Sequence, residues 1–377
     1  MTRAPLHAYP GYATRPDMLD CADMRHKLPL PAMALFALAT GLPAVLIALA
    51  VGFGGGWVWL PFLYMAFLTV TLDQVLPLVA PDAPEGAEFP AADALLLGLG
   101  AAHLVLLPLV VWAVAGDSGL SLGQRMILFF GAGLWFGQVS NPSAHELIHR
   151  GNRWMFRLGV AVYGSVLFGH HASAHRLVHH VHAASAADPN TARAGESFWR
   201  FAPRAWVGSF RDGWRAETVR RVGRTGMHPY AVYLGLGLGS LIAGGVIAGL
   251  PGVLVWAGLA AHTQLQLLLA DYVQHYGLLR ARLPDGRLEP VSDRHSWNAP
   301  QWFSSAVMLN APRHSDHHAH PSRPYPALRL PERGAAPWLP YPLPVCATLA
   351  LSPRIWRRVM GPRLADWQRR KDGLTGL

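Results

Sequence analysis

The densest group of reactive side chains is the histidine-rich segment RHSDHHAHPSRPY, which begins at Arg313. It contains His314, His317, His318 and His320. Spacings of three and four residues bring side chains onto one face of a helix, so the first three could direct their imidazoles to a single point. Because imidazole is a ligand for iron, copper, zinc and nickel, the segment is a candidate metal site.

Histidines group in a similar way at three earlier places in the chain. These places are HELIHR with His145 and His149, HRLVHH with His175, His179 and His180, and DYVQHYGL with His275. Together the groups offer more imidazoles than one ion can bind, which favours two ions. Cys21 and Cys346 are too few to form a thiolate site or a disulfide framework. Metal binding in this chain therefore depends on histidine.

The elements that must position these histidines are long apolar runs. Half of the 377 residues are hydrophobic, only 14% are charged, and there are 14 tryptophans, a composition typical of a chain buried in lipid. Each run has the ~20 residues needed to cross ~30 Å of hydrocarbon. The runs are 30–51, 58–80, 94–115, 122–140, 231–250 and 253–272. We predict an all-α integral membrane fold with about six transmembrane helices and a cytoplasmic, His-rich helical cap.

Lysine and arginine give the orientation, because they are retained on the cytoplasmic side. With both termini cytoplasmic, Arg125 is the only basic residue left outside. The formal charge of +10 does not indicate nucleic acid, since the arginines lie outside the apolar runs. A seventh apolar segment, 154–169, is short, and a crossing there would separate His145 from His175. We therefore expect it to be re-entrant or interfacial.

The whole chain is predicted to be one membrane domain, 1–377. Its parts are a cytoplasmic tail 1–29, four transmembrane helices 30–150, a re-entrant and cytoplasmic segment 151–228, two transmembrane helices 229–277, and a His-rich cap and tail 278–377. Alternating aromatic and basic residues over 198–224 suit a helix at the lipid headgroups or a docking face for an acidic protein. His103 and His262 each lie alone in an apolar run, and we interpret both as hydrogen-bonded core residues.

Three other readings of the chemistry compete. HELIH is an H-E-x-x-H sequence, in which two histidines bind zinc and Glu146 would activate water in an intramembrane metalloprotease; the other clusters stay unexplained. A soluble carboxylate di-iron bundle requires a second Glu-x-x-His unit, which the chain lacks. A metal transporter or sensor would carry polar residues along the membrane path, and these runs hold few.

Taken together, HELIHR, AHRLVHHVHAASAADPNTARAGES, ADYVQHYGLL, RHSWN and RHSDHHAHPSRPY resemble the membrane-bound alkane 1-monooxygenase family, which includes xylene and cymene hydroxylases. The resemblance spans nearly the whole chain. It implies a fatty acid desaturase/hydroxylase-like fold with a non-haem di-iron centre. Carried over by motif position, the implied metal ligands are His145, His149, His175, His179, His180, His275, His314, His317 and His318.

Other residues near the motifs have secondary roles or depart from the family pattern. Glu146, Asp271, Gln274 and Asp316 are candidates for orienting the ligands, and no further catalytic residue is assigned. His170, His171, His182 and His320 fall outside the ligand positions. The departures are Ala174 and Gln274 where the family usually has glutamate, Ala311 and Pro312 in place of Leu-Gln, and Arg150 in place of lysine.

The resemblance implies O2-dependent hydroxylation of the terminal carbon of an alkane, or of a similar apolar methyl group, in the bacterial inner membrane. Electrons would come from a rubredoxin or ferredoxin with its NADH-dependent reductase, since the chain has no flavin, haem or nicotinamide motif. A fatty acid desaturase or hydroxylase is the alternative. An apolar substrate needs an apolar channel, and we expect Leu68, Thr71 and Val75, with Phe67 beside them, to line it.

Overall fold

The computed structural model describes residues 31–375, with side chains described through 370. The predicted tail 1–29 lies outside these residues. The described part consists of helices and irregular segments with isolated β-bridges and no strands, which confirms the all-α prediction. The helices are α1 Ala32–Phe53, α2 Gly55–Val75, α3 Pro90–Ala115, α4 Leu122–Trp135, α5 Asn141–His149, α6 Arg153–Ser165, α7 171–182, α8 Phe198–Arg220, α9 Pro229–Gln274, α10 Trp302–Val307, α11 His314–Ala319, α12 Leu343–Ala350 and α13 Pro353–Thr375.

Within the described residues, four helices are long and apolar enough to cross a membrane: α1, α2, α3 and α9. The last of these contains two of the six predicted runs, 231–250 and 253–272. The predicted run 122–140 falls on α4 and on the π-helical turn Phe136–Ser140 that joins α4 to α5. All six predicted runs are therefore largely helical.

Helix α9 reverses direction near its middle. Its backbone leaves the helical region at Ala248 and at Gly249, where φ is +60°, a value that favours glycine. A Cβ built on Gly252 would lie 2.0 Å from the carbonyl oxygen of Gly244, so the two arms touch backbone to backbone. Residues 20 apart, Leu236 and Trp256, both contact the 164–165 backbone, whereas a straight helix would separate them by about 30 Å.

Helix α6 and the turn after it bring the chain back to α5. Gly159 allows close packing, because a Cβ there would lie 2.9 Å from the Ala144 carbonyl oxygen. In the turn, Leu167 adopts the left-handed conformation with φ +60°. The backbone carbonyl oxygen of the preceding residue, Val166, accepts a hydrogen bond of 2.7 Å from Gln264 Nε2. The chain thus turns back after α6, and α6 is not among the described helices that are long and apolar enough to cross a membrane.

The His-rich cap is docked onto the spans by buried polar contacts. The Asp73 carboxylate, at the end of α2, accepts a hydrogen bond of 2.9 Å from the Phe303 backbone N–H and one of 3.3 Å from that of Ser304, at the start of α10. Arg313 Nη1 lies 2.7 Å from Asp82 Oδ1 just before α11. These contacts fix α10 and α11 against the loop that follows α2, and so they position the last histidine group.

Candidate metal centre

The structure gathers all nine predicted ligand histidines into two adjacent clusters. In each cluster the candidate ligand atoms lie within 4.8 Å of one another. The first cluster contains His145, His149, His175, His180 and His317, and the second contains His179, His275, His314 and His318. The other histidines singled out in the motifs, His170, His171, His182 and His320, belong to neither cluster.

Two π-helical turns direct the histidines of the first and second groups. The turn His175–His179 lies within α7, and a π turn stacks residue i on residue i+5. His175 and His180 therefore face the first cluster together, while His179 faces the second. The turn Phe136–Ser140 shifts the register of α5 relative to α4 in the same way. π turns are frequent at functional sites, since they re-aim side chains without ending the helix.

Several ring nitrogens of the first cluster lie within hydrogen-bonding distance of more than one other ring nitrogen. They cannot all be satisfied by hydrogen bonds to one another. His175 Nε2 lies 2.7 Å from His145 Nε2 and 2.9 Å from His180 Nε2, which in turn is 3.2 Å from His317 Nε2. Each Nε2 carries either one hydrogen or one lone pair, so it can pair with only one neighbour. A cation at the centre would satisfy all of these lone pairs at once. The donor set therefore fits bound metal.

Burial keeps most of these imidazoles in the neutral form that binds metal. Burial lowers the pKa of His145 to about 3 and places those of His175 and His317 well below the usual histidine value, and the neighbouring imidazoles lower them further. His179 differs: burial lowers its pKa, but the Asp188 carboxylate outweighs burial and the net pKa is raised. Neutral imidazole is the form with a lone pair to donate.

Asp188 orients His179 within the second cluster. Its Oδ2 accepts a 2.9 Å hydrogen bond from His179 Nδ1, which leaves Nε2 for a metal. The carboxylate is itself held by Thr191 Oγ1 at 2.7 Å and by the backbone N–H of Asn190 at 3.0 Å. Asp188 lies in the ADPNT part of the second motif, where no role is predicted for it. A carboxylate nine residues after a ligand histidine has no fixed helical geometry that would have indicated it.

The four candidates for orienting ligands have different surroundings. The backbone oxygen of Gln274 accepts from Trp297 N, and its side chain donates 3.0 Å to the Ala311 carbonyl oxygen, so Gln274 ties the end of α9 to the segment before α11. Asp271 Oδ2 accepts a hydrogen bond of 2.6 Å from Nδ2 of Asn190, which lies two residues after Asp188. Gln274 and Asp271 border the cavity that His314 and His317 also line.

Glu146 and Asp316 bond to backbone and arginine groups instead. Glu146, the glutamate of HELIH, accepts 3.2 Å from the Tyr325 backbone N–H and lies 3.5 Å from Arg150; burial raises its pKa to about 7 although the arginine lowers it. The hydrogen bonds of Asp316 go to His320, Arg323 and Arg329, so Asp316 orders the segment after α11 and does not orient one of the nine histidines.

An apolar cavity of about 350 Å³ adjoins the histidine clusters. It extends between α2, α4, α5, the second arm of α9 and α12. Its lining includes His145, His175, His314 and His317 at one end and Leu134, Gln138, His262 and Gln266 at the other. A cavity of this size and lining accommodates an aliphatic chain with one end beside the clusters.

The face of α2 expected to line this cavity was assigned wrongly. Leu68 is 40% exposed and Val75 68% exposed, and both point away from the cavity, as does Phe67 at 58%. The residues of α2 that line it are Met65, Ala66 and Val70. Both the lipid-facing and the cavity-facing sides of this helix are apolar, so periodicity alone does not distinguish them.

The two lone histidines also differ from each other. His103 Nε2 lies 2.9 Å from Ser165 Oγ in the core, which confirms its interpretation as a hydrogen-bonded residue. Within the described part of the chain, neither ring nitrogen of His262 has a hydrogen-bond partner, and Nδ1 is buried, so the same interpretation is wrong for His262. Its ring stacks on Phe129 with a centroid distance of 6.2 Å, and His262 borders the cavity.

Comparison with known proteins agrees with this arrangement. The fatty acid desaturase family model matches residues 122–346, which hold all nine clustered histidines. The region from α4 to α12 is therefore a domain of the desaturase class. Together with the apolar helices, the match shows a membrane protein with histidine clusters suited to a metal cofactor.

Curated relatives indicate which family within the desaturase class the chain belongs to. An alkane 1-monooxygenase from Pseudomonas putida is 34% identical over 70% of this chain and 66% of its own length. Alkane 1-monooxygenase 1 from Pseudomonas aeruginosa is 34% identical over 69% of this chain and 70% of its own. The hydroxylase component XylM of xylene/toluene monooxygenase from Pseudomonas putida is 29% identical over 87% of this chain and 89% of its own length. The chain belongs to the alkane 1-monooxygenase family, and it spans about two thirds of the length of the first of these relatives.

Proposed function

We propose that the protein is a membrane di-iron monooxygenase that hydroxylates the terminal carbon of an alkane, or of a similar apolar methyl group, to a primary alcohol. The balanced reaction is R–CH3 + O2 + 2 electrons + 2 protons giving R–CH2OH + H2O. The observation that carries the proposal is the contact between two buried clusters, of five and four histidines, and an apolar cavity between membrane helices. The family membership supports the same reaction.

All nine clustered histidines are the proposed ligands, and two iron ions are the proposed cofactor. When bound, a pair of irons supplies the O2 activation and electron exchange needed to break an unactivated C–H bond. The chain contributes position. Asp188 holds His179 in the tautomer that presents Nε2, and burial keeps the His175 imidazole in the neutral form that can donate a lone pair.

The substrate has no polar handle at its reacting end, so shape must hold it there. Met65, Ala66 and Val70 of α2 and Leu134 of α4 form apolar walls of the cavity, and α2 is one of the helices long and apolar enough to cross a membrane. An apolar chain already dissolved in the bilayer can therefore reach the clusters without crossing water. O2 also partitions into such apolar surroundings.

The electrons must come from another protein. We propose a rubredoxin, or a ferredoxin, reduced by an NADH-dependent reductase, as the donor. The exposed arginines of α13, among them Arg354 and Arg357, suit an acidic carrier, because complementary charge speeds encounter. Basic residues gathered at this end support placing the clusters and both termini on the cytoplasmic side of the inner membrane.

The test is expression in a bacterial host that lacks alkane hydroxylases, together with a rubredoxin and its reductase. Extracts are supplied with n-alkanes or xylene, and products are identified by gas chromatography and mass spectrometry. Terminal alcohols that form only when all three proteins are present support the proposal. Double bonds in the products would instead favour a desaturase. Metal analysis should find about two irons per chain, and zinc would contradict the proposal.

A further inference from the structure

The loop 188–196, which lies between α7 and α8, is held by one arginine from outside the histidine motifs. Arg204 lies in the second turn of α8, and its Nε and Nη2 donate to the two carboxylate oxygens of Glu196 at 2.9 and 2.8 Å. Its Nη1 donates to the Pro189 carbonyl oxygen at 2.9 Å, and Nη2 also donates to that of Thr191 at 3.1 Å. One guanidinium therefore ties both ends of the 188–196 loop together.

The contact between α8 and the loop is close and its ion pair is largely shielded from water. The Glu196 side chain is 10% exposed. Burial raises the pKa of its carboxyl, but the hydrogen bonds from Arg204 and from the backbone N–H of Arg193 outweigh burial, and the net pKa is lowered. Glu196 is therefore ionised at neutral pH, and its bidentate pair with the guanidinium is of the strong, directional kind. A Cβ built on Gly208 of α8 would lie 2.6 Å from the Cβ of Pro189, so helix and loop pack without a gap.

The first end of the 188–196 loop carries the carboxylate that orients His179. Asp188 Oδ2 accepts from His179 Nδ1 at 2.9 Å and from the hydroxyl of Thr191 at 2.7 Å. Arg204 binds the backbone carbonyl oxygen of the same Thr191. A shift of the loop at Thr191 would therefore move the carboxylate that sets the tautomer and direction of the His179 ring.

The second end of the loop contacts the segment that carries His275. The hydroxyl of Tyr272 donates to the Glu196 carbonyl oxygen at 2.6 Å, and the hydroxyl of Tyr276 accepts from the Gly195 backbone N–H at 3.0 Å. His275 lies between these two tyrosines along the chain and, like the histidine that Asp188 orients, belongs to the second cluster. The loop therefore supports two members of one cluster.

We infer that Arg204 is a positioning residue for the second cluster: it fixes the 188–196 loop so that His179 and His275 present their imidazoles to one metal ion. The inference rests on the proposed function for the identity of that metal. Within the described residues, no hydrogen bond joins this loop to any of the five histidines of the first cluster. Loss of the guanidinium should therefore weaken metal binding in one cluster and leave the other unchanged, whereas a general loss of packing would weaken both.

The experiment follows the two clusters separately in the full-length, detergent-solubilised protein. The protein is loaded with iron-57, a chelator is titrated, and the iron remaining in each cluster is measured by Mössbauer spectroscopy. His275→Ala and His180→Ala identify the signals, because each removes a histidine from only one cluster. The readout is metal retention and the spectrum of each site, so it does not depend on turnover.

Three arginine variants of α8 are compared. Arg204→Met removes the guanidinium and keeps an unbranched side chain. Arg204→Lys keeps the positive charge, but its compact ammonium cannot donate to the Glu196 carboxylate and to two loop carbonyl oxygens together. Arg215→Met is the control, because Arg215 lies on the same helix and pairs with Asp212 at the surface.

In Arg204→Met we expect the chelator concentration that removes half of the second-cluster iron to fall about tenfold, with the first-cluster iron unchanged. Arg204→Lys should show a smaller fall in the same direction and decides the question if Arg204→Met does not fold. Arg215→Met should match the wild type. Parallel loss of iron from both clusters in the Arg204 variants, or retention equal to the wild type, would overturn the inference. Zinc in place of iron in the wild type would contradict the proposed function, and early release of about one zinc per chain from the Arg204 variants would still support the role of Arg204.

Discussion

The imidazole of His179 and the carboxylate of Asp188 form a fully buried pair, with Nδ1 2.9 Å from Oδ2. The two residues lie in different local structures: His179 closes the π turn of α7, and Asp188 begins the turn after that helix. Their pairing sets which nitrogen of His179 faces His275, His314 and His318. The geometry of the second cluster thus depends on a residue outside the histidine motifs.

Replacing Asp188 by asparagine tests this dependence. The amide cannot supply the negative charge and would allow the wrong tautomer of His179, so we expect metal affinity of the second cluster to fall by about 10- to 100-fold. Iron content after dialysis against a graded chelator, with the optical spectrum of the centre, measures the change. Asp285→Asn is the control, since Asp285 pairs with Arg287 at the surface. Equal iron retention in both variants would contradict the role of Asp188.

His180 and His182 offer a matched pair of substitutions in one helix. His180 belongs to the first cluster, whereas His182 lies two residues on and outside both clusters. His180→Ala should lower iron content to about half or less and abolish hydroxylation, because an open cluster leaves neighbouring nitrogens without a shared cation. His182→Ala should retain both iron and activity. Iron analysis and the alcohol yield in membranes check this. Full iron loading in His180→Ala would contradict the assignment of His180 as a ligand.

The correction to α2 leads to a prediction about chain length. Ala66→Trp places an indole in the cavity, so the variant should shorten the longest alkane oxidised while oxidation of the shortest continues. Leu68→Trp, two residues away, places the same group toward lipid and should leave the product profile unchanged. Gas chromatography of products across a series of n-alkanes measures both. Shortening by Leu68→Trp but not by Ala66→Trp would restore the original assignment.

The reversal in α9 makes a prediction about stability. Gly252→Ala adds a methyl group 2.0 Å from the Gly244 carbonyl oxygen, so the arms must separate, and we expect a loss of about 1–3 kcal/mol in the free energy of unfolding. Gly239→Ala, in the first arm with nothing within 4 Å of the added carbon, should be neutral or slightly stabilising. Thermal unfolding in detergent compares the two. Similar midpoints would show that the arms are not in backbone contact.

The histidine groups could be found from the sequence because each is a local motif, and metal binding requires that local motifs converge. Which histidines share a cluster could not be found in that way. The separation of His179 from His175 and His180 depends on a π turn, for which the sequence carries no reliable signal. The same limit applies to Asp188, whose contact with His179 is set by the turn that follows α7.

The apolar runs predicted where helices lie, because length and composition determine that a segment can reside in lipid. Their faces were not predictable, as Leu68 and Met65 illustrate: both are apolar, and one faces lipid while the other faces the core. The reversal at Gly249 was expected from the interrupted hydropathy between 250 and 253, but its tightness depends on Gly244 and Gly252 meeting in three dimensions.

The short helix α11 supplies His317 to one cluster and His314 and His318 to the other. During synthesis the other six histidines leave the ribosome earlier, and each cluster stays incomplete until this helix follows them. A chain truncated before residue 314 would therefore lack imidazoles from both clusters, although, within the described residues, every helix long and apolar enough to cross a membrane would already have been made.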